Sequence, residues 1–154
     1  MIQRIQTLLL IAVVFLISLL IFLPLATFST PEASFLLKAD SLADLMGNSD
    51  AIVVWPLFIM LIVMVIVPLV TIFLYKKRML QIRLAIFSAV LEALFYILYF
   101  YECHTISQQL QAVCSYKIAA LLIPVCTIVL NIIAIRKIGQ DEMLIRSLNS
   151  NRIR

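Results

Sequence analysis

Residues 51–75 read AIVVWPLFIMLIVMVIVPLVTIFLY, 25 consecutive positions without a charged side chain, and this stretch decides the fold class. The hydrocarbon core of a bilayer, about 30 Å thick, is crossed by roughly 20 apolar residues in a helix, a length that core helices of soluble proteins seldom sustain. Pro56 and Pro68 interrupt the run. Inside a bundle, neighbouring helices re-satisfy the carbonyls a proline frees, so the stretch still reads as a span. Lys76-Lys77-Arg78 stops it.

Three further blocks repeat the pattern on either side. Residues 8–28 follow Arg4 and carry no charge, residues 84–101 are interrupted only by Glu92, and residues 116–135 contain Pro124 and end at Arg136-Lys137. A cleaved signal peptide is the rival reading of the first block, but its apolar segment would be about 7–15 residues long and followed by a small-residue site. The block is longer and lacks a convincing site, which favours a retained helix. Composition agrees: 64% of the 154 residues are hydrophobic and 13% charged, against about 45–50% and about 25% in soluble domains. The expected fold is an all-α membrane protein, an antiparallel four-transmembrane-helix bundle in one membrane domain. Its outer loops would be 29–50 and 102–115, and its tail 136–154.

Lys and Arg are enriched on the cytoplasmic side of short loops. One orientation places Arg4, Lys76, Lys77, Arg78, Arg83, Arg136, Lys137, Arg146, Arg152 and Arg154 inside and leaves only Lys38 and Lys117 outside. Ten against two puts both termini in the cytoplasm. The net charge of +4 therefore orients the chain in lipid and does not mark a nucleic-acid face, which would need a basic surface on a soluble fold. With only Gly47 and Gly139 in the sequence, Gly-rich nucleotide loops are excluded, and no cofactor is expected. Trp55, Tyr99, Tyr101 and Tyr116 at the outer ends and Tyr75 at the inner end read as interfacial anchors.

In the first outer loop, Phe35, Leu36, Leu42, Leu45 and Met46 alternate with Lys38, Asp40, Ser41 and Asp44. This fits a short amphipathic helix on the membrane surface or a loop packed over the bundle mouth. Gly139 is placed to close the fourth helix, and Asp141 and Glu142 to open a short cytoplasmic one. Glu142 and Arg146 stand four apart in the favourable order for a helical ion pair. That tail would rest on the inner leaflet, helped by Arg152 and Arg154, or dock a protein partner through Asp141, Glu142 and Arg146.

The two ends, Met1-Ile2-Gln3-Arg4-Ile5-Gln6-Thr7 and Asp141-Glu142 with Leu144-Ile145-Arg146-Ser147 and Arg152-Ile153-Arg154, resemble a family of small Bacteroidota inner-membrane proteins, domain of unknown function 4293. The resemblance covers the whole chain. It implies four spans in a bacterial inner membrane and no particular activity.

Glu92 is the most informative single residue, because an acid at mid-bilayer is costly and implies a partner. It lies nine residues after Arg83, roughly 13 Å into the membrane at 1.5 Å per residue. Ser88, Glu92, Tyr96 and Tyr99 recur at helical spacing, so one polar stripe should face protein. Counting the same distance from Arg136 reaches Thr127, the depth-matched partner, with Asn131 one turn nearer the cytoplasm. No basic residue sits at this depth, which favours the neutral acid, donating to Thr127 or to a tyrosine hydroxyl. The group reads either as glue between helices or as a proton or cation relay.

Cys103 and Cys114 both fall in the second outer loop. In an oxidising compartment they would form a disulfide, with two free thiols as the alternative. Glu102, Cys103, His104 and Cys114 lack standard metal-ligand spacing, so no metal is expected. Cys126, inside the fourth block, reads as a packing residue. A quinone-reducing thiol oxidoreductase would relay electrons between two cysteine pairs, and only one pair is available. The sequence thus points first to a non-enzymatic structural, assembly or regulatory subunit with a protein partner or a second copy. A proton-coupled carrier using Glu92 comes next, and a thiol oxidoreductase third.

Overall fold

The computed structural model describes residues 3–31, 33–44, 52–74 and 77–151. Four helices, α1 (Gln3–Phe22), α2 (Trp55–Phe73), α3 (Arg78–Leu110) and α4 (Ile118–Asn151), account for most of it. Each is long and apolar enough to cross a membrane. Contacts join α1 to α2, α2 to α3, α3 to α4 and α4 back to α1, so the helices form a closed up-and-down ring.

One narrow seam per helix makes the core. The buried positions run Gln6, Leu10, Val13, Ile17 and Leu20 in α1 and Leu57, Leu61, Met64, Pro68 and Thr71 in α2. In α3 they include Gln81, Ala85, Ser88, Glu92, Phe95 and Tyr99, and in α4 Ala120, Pro124, Thr127, Asn131, Ala134 and Ile138. Each set alternates steps of four and three, the 3.5-residue period of left-handed knobs-into-holes packing. The remaining faces expose large apolar side chains such as Leu8, Phe15, Ile59, Ile97 and Leu122, as lipid contact requires. Because core and lipid faces are equally apolar, the seam is marked chiefly by its polar members.

Of the two readings of the segment after Ser34, the amphipathic helix is not formed among the described residues, and packing over the bundle mouth is what the segment does. It forms part of a five-stranded antiparallel sheet in the order β4-β3-β2-β1-β5, built from β1 (Ala26–Ser29), β2 (Ser34–Leu37), β3 (Ser41–Asp44), β4 (Ile52–Val53) and β5 (Val113–Tyr116). Leu45 and Met46, also assigned to that helix, lie outside the described residues. Pro24 disfavours helix at Leu23 and ends α1 early, releasing Ala26-Thr27-Phe28 to a β conformation that suits β-branched and aromatic residues. The β1–β2 turn is closed by the Thr30 hydroxyl, which donates to Ala33 O at 2.9 Å and accepts from Ala33 N at 3.0 Å. Lys38-Ala39-Asp40-Ser41 turns β2 into β3, with Lys38 N donating to Ser41 O at 2.9 Å. Ala26, Phe28, Leu37 and Leu42 are buried in the same cluster as Leu20, Leu57 and Cys103, so the sheet caps the bundle mouth.

Other boundaries shift for identifiable reasons. Pro56 does not kink α2, because it sits in the first turn, where its missing N–H costs nothing. α3 runs on to Leu110, making it about 50 Å long, and ends with Gln111 in the left-handed region at φ 48°. Its last turn is closed by Ser107, whose hydroxyl donates to Ala112 O at 2.6 Å. α4 passes straight through Gly139, around which there is open space. The tail is therefore the continuation of α4 and not a separate helix. A mid-helix glycine costs only about 1 kcal/mol, and Asp141, one turn-half further on, is held by α1.

Candidate functional site

The polar members of the α3 and α4 seams meet halfway along the bundle. Asn131 Nδ2 donates to Glu92 Oε1 at 2.7 Å and to Ser88 Oγ at 3.2 Å. The Ser88 hydroxyl donates to the same carboxyl oxygen at 3.4 Å. Glu92 and Asn131 are both 0% exposed. The stripe of Ser88, Glu92 and Tyr99 thus faces protein, with Tyr96 at its half-buried margin.

The direct partner is Asn131, where depth matching selects Thr127. Helical side chains lean toward the N-terminus of their own helix. In antiparallel neighbours, Glu92 leans back toward Ser88 and Asn131 leans back toward Thr127, so the two side chains approach each other and close the one-turn offset between their backbones. Thr127 stands beside the carboxyl, but its hydroxyl donates to Pro124 O at 2.9 Å within its own helix. The Tyr96 hydroxyl does not reach Glu92 either; it donates to Leu121 O on α4.

Beneath the sheet, Tyr99 is fully buried. It is not the interfacial anchor expected of it: its hydroxyl donates to Leu25 O at 2.8 Å, and Lys117 N donates to the same carbonyl at 3.2 Å. One carbonyl thus joins the end of α1, the seam of α3 and the start of α4. Trp55, Tyr101 and Tyr116 are exposed; Tyr75 lies outside the described residues.

Cys103 sits on α3 and not in a loop, fully buried one turn beyond Tyr99, and Cys114 lies half-buried on β5. The two thiols are free and are electrostatic neighbours. Burial pushes the Cys114 thiol above its ordinary range. Cys126 faces outward, so the packing role read from sequence is not what it does. His104 pairs with Gln108 at 3.0 Å, and no three metal-ligating side chains cluster among the described residues.

At the opposite end, near Arg78, Arg83, Arg136 and Lys137, Gln6 Nε2 donates to the Asp141 carboxylate. Asp141 is therefore engaged within the chain. The side chains of Glu142 and Arg146 lie outside the described residues. The signal for this tie was in the sequence as a lone polar Gln6 at a seam position, and only the packing of α1 on α4 reveals its partner.

A family model described as a domain of unknown function, DUF4293, matches residues 2–153. Among curated proteins, none matches the chain.

Proposed function

Because the chain belongs to the DUF4293 family, whose description assigns no activity, we propose from its geometry that it is a non-enzymatic structural or assembly component of a bacterial inner membrane. The observation that carries this reading is where the buried polar side chains are spent. Asn131 ties α4 to Glu92 and Ser88 on α3, Tyr96 ties α3 to Leu121, Tyr99 ties α3 to the entry of the sheet, and Gln6 ties α1 to Asp141. These bonds fix this chain's own helices and cap to one another. A carrier or channel would turn such groups toward a lumen, whereas Glu92 and Asn131 are sealed between two helices.

The ten-against-two charge asymmetry supports placing both termini in the cytoplasm and the sheet outside. A partner, whether another protein or a second copy, would then meet the chain at its two protruding ends. Val113 on edge strand β5 is 75% exposed and Met143 on the extension of α4 is 74% exposed, and these two positions test the reading. A photo-crosslinking residue at each, in living cells, is expected to yield a discrete adduct with one protein species at one position or both. Lipid adducts alone at both positions would overturn it. So would proton flux through proteoliposomes of the purified protein that Glu92→Gln abolishes.

A further inference from the structure

Donor bookkeeping around Glu92 leaves a definite deficit. Oε1 receives hydrogen bonds from Asn131 Nδ2 and Ser88, while Thr127 spends its hydrogen on Pro124 O. Two acceptors then have no partner, Glu92 Oε2 and Asn131 Oδ1. Both belong to fully buried residues, where an unmade hydrogen bond costs about 1–3 kcal/mol per group and more for a charged one. We propose that the Glu92–Asn131 pair is an intramembrane proton-binding site, in which one exchangeable proton on Oε2 is shared with Oδ1 of Asn131.

A single hydrogen on Oε2 supplies the donor the cluster lacks and removes the uncompensated charge. The Thr127 hydroxyl beside the carboxyl could donate there only by releasing Pro124 O, and it would leave the charge in place. Packed on α3 are α2 and α4, and packed on α4 is α1. Facing the pair from them, α2 has no titratable side chain between Trp55 and Leu74, and α1 has none from Ile5 to Phe22. On α4, Cys126 points outward, and Arg136 and Lys137 follow Asn131 by five and six residues. On α3 itself, Tyr96 donates to Leu121 O, and Arg83 is nine residues away. An alkali cation fits less well, because a cation cage presents only oxygens. Here the N–H hydrogens of Asn131 already point at Oε1 and at Ser88 Oγ.

The site makes helix packing depend on proton occupancy. With the proton present, α3 and α4 are joined through a neutral, internally satisfied pair. Without it, a carboxylate without a counter-charge lies in the α3–α4 interface, and the interface must admit water or separate. This inference is independent of the assembly role, since an assembly component with or without such a site would give the same crosslinks.

Infrared spectroscopy of the full chain in lipid vesicles tests it. Every other acid lies outside the four apolar blocks of the sequence, so a protonated-carboxyl C=O band in the wild-type protein at neutral pH should come from Glu92. The band is expected in the wild type, to shift in D2O, and to be missing in Glu92→Gln. Raising the pH should remove the band and weaken wild-type packing, while Glu92→Gln, whose amide keeps a donor at the same place, should be unaffected. A wild-type spectrum without any protonated-carboxyl band at neutral pH overturns the proposal, whether or not the Gln variant folds. A band that survives unchanged in Glu92→Gln overturns it as well.

Discussion

Replacing Asn131 with Ala is the most informative perturbation of the helix seam. It removes one side-chain nitrogen that makes two interhelical contacts, 2.7 Å to Glu92 Oε1 and 3.2 Å to Ser88 Oγ. Interhelical hydrogen bonds within membranes are worth about 0.6–2 kcal/mol each, and the longer of these belongs at the low end. The variant also strips Glu92 of the α4 amide that donates to Oε1 at 2.7 Å while leaving its carboxyl 0% exposed, a buried polar group whose loss of partner costs about 1–3 kcal/mol. These contributions overlap, since both count the same lost bond, so the expected destabilisation is about 2–4 kcal/mol. At 1.4 kcal/mol per decade, the unfolding equilibrium constant rises by roughly 30-fold to 1,000-fold. Reversible unfolding in mixed micelles by increasing denaturing detergent, followed by helix content, measures this directly. Thr127→Val is the control: its hydroxyl serves its own helix, so it should cost well under half as much. An Asn131→Ala effect equal to or smaller than that of Thr127→Val would refute the reasoning that Asn131 is the residue joining the two helices.

Three other consequences are accessible. Tyr99→Phe removes the 2.8 Å bond to Leu25 O and should destabilise the fold by about 1 kcal/mol, with faster amide exchange concentrated in β1 and β5; exchange unchanged there would show that the sheet is held otherwise. Cys103 and Cys114, whose thiols are neighbours, should join when the protein is exposed to an exogenous disulfide, the two thiolates displacing two thiols by exchange. Intact mass and a mobility shift on reduction report this, and two persistently alkylatable thiols would contradict it. In the reduced protein, burial holds the Cys114 thiol above its ordinary range, so its alkylation at neutral pH should be slower than that of a small-molecule thiol in the same buffer and should accelerate as pH rises.

The spans were legible because lipid demands long uncharged runs, and the acid at Glu92 because nothing else in its run is charged. The sheet was not, since Phe35 and Leu37 with Leu42 satisfy a helical pattern as readily as an alternating one over so short a segment. What distinguishes them is partly long-range: Ala26–Ser29 forms a local hairpin with Ser34–Leu37, but it also pairs with Val113–Tyr116, a register no local window contains. Asn131 lost to Thr127 in a count of backbone depth because the lean of each side chain adds up across antiparallel helices. Tyr99 carried two sequence signals, a seam position and a place near the membrane surface, and the seam prevailed once the sheet covered it. Gly139 carried a stop signal that α4 overrides, with Asp141 anchored on Gln6 just beyond it.

The proposed topology has four helices crossing the membrane, with both termini on the cytoplasmic side and the sheet on the other. It is tested most directly by single cysteines placed at Ser29 and at Ser147, in a background with Cys103, Cys114 and Cys126 replaced by serine. A membrane-impermeant maleimide added to spheroplasts should label the Ser29→Cys protein at once and the Ser147→Cys protein only after the membrane is permeabilised. Labelling of the Ser147→Cys protein in sealed spheroplasts, with the Ser29→Cys protein protected, would contradict the account.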